Sequence, residues 1–155
     1  MPSDSRLYPQ GTGAPKSRFV SGTLVDFGVA KSQRTRVTLA QMNAGFTLLP
    51  ARVGVKWRVL DAVVIAIGGN ATAGTSVNII GTVAGSAVQI LVAAIAALTR
   101  SALVRIGAAN AVILADGASF TAMDANTAVT CITVGTAMTT STAFDVLLTY
   151  VADQA

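Results

Sequence analysis

From residue 19 to the C-terminus the chain consists of short runs rich in Val, Ile, Thr and Ala, broken every several residues by Gly, Asn, Asp or Ser. That is the pattern of short strands joined by turns, and it predicts an all-β domain. The clearest strand starts at Arg52, where Val53, Val55, Trp57 and Val59 alternate with Gly54, Lys56, Arg58 and Leu60. One face of it is apolar and the other mostly polar or charged. Asp61 occupies the next core-side position, and Val63, Ile65 and Ile67 then resume the apolar phase, so a kink or bulge is expected near Asp61 before Gly68, Gly69 and Asn70 end the run. A second alternation closes the chain. Phe144, Val146, Leu148 and Tyr150 face one way, Asp145 and Thr149 the other, interrupted only by Leu147, and the partner of this strand is expected to be central.

Further strand-length runs lie at 19–25, 36–42, 47–49, 77–80, 87–92, 103–106, 111–115, 119–122 and 128–134. The Asp116-Gly117 pair favours a tight hairpin turn. Across 92–104, Ala and Leu favour helix and Ile95, Leu98 and Ala102 fit helical spacing, which predicts a short helical turn. This many short strands suits a jelly-roll-like two-sheet β-sandwich better than one open sheet. Residues 1–18, with Pro2, Pro9 and Pro15, read as an extended basic arm rich in Pro, Gly and Ser, and residues 19–155 as a single β-sandwich domain. A chain of 155 residues buries roughly 70% of its unfolded surface on folding, enough for a core without disulfides or a metal.

The net charge of +4 is unevenly spread: residues 1–58 hold nine basic and two acidic residues, residues 59–155 two and five. Such asymmetry suits an acidic partner or head-to-tail contact between subunits. Nucleic acid is not the expected partner, because the basic residues are scattered singly and no aromatic series is interleaved to stack on bases. The N-terminus lacks the apolar centre of a secretory signal, and the longest apolar run, 90–98, is nine residues against the roughly 20 of a membrane-spanning helix, so neither export by that route nor a membrane segment is expected.

The side-chain inventory removes most chemistry: no His, no Glu, one Cys and seven Asp. A Ser-His-Asp triad and a His or multi-Cys zinc site are excluded within one chain. No Asp-x-Asp-x-Asp calcium loop occurs. Residues 11–17 superficially resemble a phosphate loop, but Pro15 stands before Lys16 where that loop needs Gly. A glycosidase pair needs two Asp held close together with one kept protonated; Asp116 in a turn, Asp61 and Asp145 on strands, and Asp4, Asp26, Asp124 and Asp153 near element ends read instead as solvated or capping groups. Cys131 lies in an apolar stretch and reads as a buried small side chain. Trp57 reads as core, and Asn70-Ala-Thr72 as a polar turn. No catalytic residue, cofactor, metal or small-molecule substrate is expected, and the chain is not expected to be an enzyme.

Four stretches are similar to a known family: Val55-Lys-Trp-Arg-Val-Leu-Asp-Ala-Val-Val-Ile-Ala-Ile-Gly-Gly69, Ala97-Leu-Thr-Arg-Ser-Ala-Leu-Val-Arg-Ile-Gly107, Val112-Ile-Leu-Ala-Asp-Gly-Ala-Ser-Phe-Thr-Ala122 and Phe144-Asp-Val-Leu-Leu-Thr-Tyr-Val151. Over about 51–151 the chain resembles head decoration, or cement, proteins of tailed bacteriophages. The resemblance rests on strand-and-turn signatures and carries over no functional residue. It implies a β-rich virion protein, often a homotrimer, made in the host cytoplasm, that docks on the capsid exterior and ties neighbouring copies of the major capsid protein together. On the charge pattern, Arg6, Lys16 and Arg18, with Arg34 and Arg36, are the residues expected to touch acidic surface on the capsid or a neighbouring copy. The alternative is a carbohydrate- or receptor-binding module of a virion or tail appendage, which requires an exposed aromatic platform.

Overall fold

In the computed structural model, which describes residues 16–20, 23–100, 102–106 and 120–155, the β-branched runs form two sheets that face each other across one core. The strands are β1 (Lys16–Val20), β2 (Thr23–Phe27), β3 (Ala30–Thr38), β4 (Phe46–Leu49), β5 (Val55–Ile67), β6 (Ser76–Val83), β7 (Ser86–Ala94), β8 (Leu103–Arg105), β9 (Val129–Val134) and β10 (Ala143–Gln154). One helix, α1 (Leu39–Ala44), and a 3-10 turn (Ile95–Ala97) interrupt them. The first sheet runs β3-β10-β5-β8, with β2 joined to the far end of β10 and β1 outside β2; the second runs β4-β9-β6-β7. The fold is therefore an all-β, two-sheet sandwich, as the sequence pattern predicts.

The antiparallel pairs β3 with β10, β4 with β9, β5 with β8 and β6 with β7 nest inside one another along the chain. Strand β10 is flanked on both sides, by β3 over nine residue pairs and by β5 over twelve, which satisfies its main-chain groups on both edges. Its inward residues Phe144, Val146 and Leu148 meet Val55, Trp57, Val59, Val77, Ile79, Ile90, Val129 and Cys131 in the core. Burial of such side chains contributes about 1.5–3 kcal/mol each.

Strand β5 carries the expected irregularity. Asp61 pairs with Thr149 and Val59 with Tyr150, so Leu60 is an extra residue without a partner on β10. The consequence differs from the expected one. An extra residue inverts a period-2 pattern, so Ala62, Val64 and Ala66 face the core after the bulge, and Val63, Ile65 and Ile67 take the opposite face. Val53, expected in the core, precedes the strand and is 71% exposed. The expected strand 19–25 is divided between β1 and β2, which pair Val20 with Thr23 across two intervening residues. The expected strand 36–42 ends at Thr38, because Thr38 and Gln41 form a reciprocal capping box that starts α1: Gln41 N–H donates to Thr38 Oγ1 at 3.2 Å and Thr38 N–H to Gln41 Oε1 at 2.9 Å. Gly45, at φ 88°, ends the helix in a conformation that favours glycine. The helical turn expected in 92–104 shrinks to the three residues of the 3-10 turn, whose Ile95 is anchored by its N–H to Thr75 O bond of 3.1 Å. The expected Asp116-Gly117 hairpin, the strand 111–115 and residues 1–15 of the expected arm lie outside the described residues.

Candidate interaction surface

Residues directly opposite in a sheet share a face, so the register of the first sheet defines its outward surface. One row reads Arg36, Asp145, Ile65, Leu103 across β3, β10, β5 and β8. The next reads Arg34, Leu147, Val63, Arg105. A third adds Ser32, Thr149 and Asp61, with the Ser32 and Thr149 hydroxyls 2.9 Å apart.

Two of the sequence-predicted contact residues meet here. Arg36 donates to Asp145 through Nε at 2.8 Å and Nη2 at 3.0 Å, and Arg34 adds a bond from Nη2 to Asp145 Oδ2. The Asp145 side chain is 3% exposed beneath guanidiniums that are themselves 61% and 57% exposed. Hydrogen bonding from Arg36, joined by that from Arg34 and by both charges, outweighs desolvation and lowers the Asp145 pKa to about 2. The same bonding from Asp145 raises the pKa of Arg36. Asp145 is thus a structural counter-ion rather than the solvated group the sequence suggested. At the opposite margin Arg105 grips Asp61 through Nε at 2.9 and 3.0 Å and Nη2 at 2.6 Å.

Between these two arginine–aspartate margins, the first with one net positive charge and the second balanced, the surface is apolar. Leu103 is 60% and Leu147 38% exposed, and both border a shallow depression of about 450 Å³ that also touches Arg34, Asp61, Val63 and Arg105. Sequence reasoning missed Arg105, Leu103 and Asp145 as members of the surface. A partial signal was present, since Arg34 and Arg36 are two apart and so share a face and Leu147 breaks the polar side of the closing strand, but Leu103 and Arg105 join that face only through pairing with β5.

The other sequence-predicted residues stand elsewhere. Lys16 and Arg18 lie in β1, opposite Phe27 and Val25 of β2, and Arg6 lies outside the described residues. Strand β1 is hydrogen-bonded only to β2 among the described residues, and β2 is laddered to the body at the pair Phe27 to Ala152, supported by Gly28 N–H donating to Ala152 O at 2.9 Å, with its Val25 and Phe27 side chains buried in the core.

A second recess, about 200 Å³, lies where Val25, Lys31, Leu49, Arg52, Trp57 and Tyr150 converge. Trp57 lines it from within the core: it is buried, donates its indole N–H to Pro50 O at 3.0 Å and stacks edge-on with Tyr150 at 5.5 Å between centroids, so no flat indole face is left as a platform. Cys131 is fully buried, and desolvation raises its thiol pKa to about 12, which keeps it protonated and inert. Asn70 Oδ1 accepts the Arg100 N–H at 2.6 Å, the polar-turn role expected of it. Among the described residues no group of three or more Asp or Cys stands where it could hold a metal ion, and no helix is long and apolar enough to cross a membrane. In comparisons with known proteins the chain matches no family model, no curated protein and no solved structure.

Proposed function

We propose that the chain is a virion structural protein that binds the outer surface of an assembled phage capsid, as a homotrimer, and stabilises it by bridging neighbouring copies of the major capsid protein. The observation that carries this reading is the placing of β1, which is hydrogen-bonded to β2 alone and has no strand partner at its outer edge among the described residues. A five-residue strand offers about 17 Å of main-chain donors and acceptors, and an edge of that kind is satisfied by adding to a neighbour's sheet. The sandwich then rests on one subunit while β1, with Lys16 and Arg18, engages the next. Three such contacts in a trimer act together, so individually weak bonds hold firmly. The work is adhesion, with no bond made or broken.

The wiring supports a jelly roll in particular. Counted from β3 to β10, the eight strands of the two main sheets read first-eighth-third-sixth and second-seventh-fourth-fifth, the order produced by folding one long hairpin over on itself. Jelly rolls are common shell-building and shell-binding modules, and the resemblance of 51–151 to decoration proteins agrees with that use.

The test is addition of the purified chain to undecorated heads of the phage that encodes it. Saturable binding at a fixed ratio to capsid subunits and a higher head-disruption temperature are expected, and removal of residues 1–22 should abolish both while leaving the far-ultraviolet circular dichroism of a sandwich. Absence of binding by the full chain, or undiminished occupancy by the shortened one, would overturn the reading.

A further inference from the structure

The outward face of the β3-β10-β5-β8 sheet is organised more than a solvated surface needs to be. Its apolar middle, Val63, Ile65, Leu103 and Leu147, lies on three of the four strands, β10, β5 and β8, about 10 Å across at the usual strand spacing. Two of these side chains are large and substantially exposed, at 60% and 38%, and a contiguous apolar patch with a polar rim marks a protein-binding site. The rim carries one net positive charge, on its Arg34 and Arg36 side. Three guanidiniums stand over two carboxylates, and each carboxylate is taken up by its own arginine or arginines. The bonds to Asp145 and Asp61 use Nε and Nη2, so among the described residues the Nη1 groups of Arg34, Arg36 and Arg105 donate to nothing. The guanidiniums are therefore held in place by the aspartates with donors to spare, a fork suited to carboxylates.

Among the described residues a second copy of this chain offers no free aspartate to meet that demand. Every described aspartate is already engaged: Asp26 by Lys31, Asp61 by Arg105, Asp145 by Arg34 and Arg36, Asp153 by Arg58, and Asp124 by the main-chain N–H groups of Ala84 and Gly85. Two copies face to face would also set arginine margins against each other. We infer that this face docks a different protein chain, one presenting apolar side chains flanked by free aspartates or glutamates. The inference rests on the capsid-binding reading only for where such a surface is met, since the geometry itself asks for no more than an apolar patch with carboxylates at its sides.

The experiment has two arms. In the first, Leu103→Asp, Leu147→Asp and the pair Arg34→Glu with Arg36→Glu are added to undecorated heads beside the wild type, each first checked for a dispersed amide spectrum. A loss of at least tenfold in affinity is expected for each, because a truncated or reversed anchor at the centre of an interface costs about 1.4 kcal/mol or more. The second arm needs no capsid. A heptapeptide with two leucines between pairs of aspartates is titrated into the isotopically labelled chain, with a lysine-for-aspartate counterpart as control. The acidic peptide should shift amides of β3, β8 and β10 around Arg34, Leu103 and Leu147, and the lysine peptide should not.

Heads that bind wild type and face variants equally overturn the inference and leave the capsid reading standing. Heads that bind nothing, together with selective shifts from the acidic peptide, sink the capsid reading and leave the inference standing. Equal response to both peptides, an oligothymidylate shifting the same amides as strongly, or self-association that Leu147→Asp dissolves in sedimentation would each overturn the inference.

Discussion

With two guanidiniums hydrogen-bonded to it, the Asp145 carboxyl releases its proton near 2 in the folded chain, against 3.8 when unfolded. On acidification the unfolded state takes up that proton first, so the stabilisation from this group is complete above about pH 4 and drains away between 4 and 2. Asp145→Asn should accordingly lower the urea midpoint at pH 6 and make little difference at pH 2, the gap between variant and wild type closing as pH falls through that window. A gap that stays constant with pH would mean that packing, not charge, sets the effect. Phe144 makes the complementary case of a residue that acts by volume. It is fully buried, and its register neighbours, Val37 on β3 and Ala66 on β5, are too small to close over the space it leaves. Phe144→Ala should cost about 3–5 kcal/mol by urea denaturation, whereas Leu103→Ala, on the outward face, should stay within about 0.5 kcal/mol.

At the scale of elements, one residue decides which side of β5 is inside. Leu60 is the extra residue opposite the Thr149 to Tyr150 step, and beyond it the even-numbered Ala62, Val64 and Ala66 are the buried ones. Deleting Leu60 would leave Val59 opposite Tyr150 and Asp61 opposite Thr149, a regular ladder in which Asp61 stays outside and Ala62, Val64 and Ala66 still face the core. The expected outcome is a cooperative thermal transition close to that of the wild type; loss of that transition would show that the bulge itself, and not the facing it sets, is what the sheet needs. The bulge also marks how far the sequence could be read. That an irregularity was needed near Asp61 was legible, because a carboxylate in the core phase is untenable. Which residue was extra was not legible, since Val63, Ile65 and Ile67 make as good an apolar stripe as Ala62, Val64 and Ala66, and only pairing with β10 chooses between them. Helix α1 was legible in Thr38, Gln41 and Gly45, a capping box and a helix-ending glycine, but the β-branched Val37 and Thr38 drew the strand reading past its end. The surface was half legible: Arg34 and Arg36 announce a shared face by spacing, while Arg105 joins them from 69 positions away through pairing that no local pattern encodes.

For the whole molecule, the nesting of β3 with β10 around β4 with β9, and of those around the inner pairs, means that the sandwich is closed by its two most distant strands and has no removable half. The β1–β2 hairpin stands outside that closure, yet the two halves of the hairpin differ. Strand β1 is bonded to β2 alone among the described residues, whereas β2 sends Val25 and Phe27 into the common core, 5% and 6% exposed. An appendage and a core element therefore meet between residues 20 and 23. A chain shortened to 23–155 should lose less than about 1 kcal/mol, since β1 is hydrogen-bonded to β2 alone among the described residues. A chain shortened to 29–155 should lose about 3–6 kcal/mol, the transfer of two large apolar side chains back to water, and its Trp57 environment should loosen because Val25 borders the same recess. Urea titration followed by Trp57 fluorescence separates the two. If the 23–155 chain is as destabilised as the 29–155 chain, β1 belongs to the folding unit and is not free to reach a neighbour; if its midpoint matches that of the full chain, the sandwich holds itself together without β1 and leaves that strand for partners.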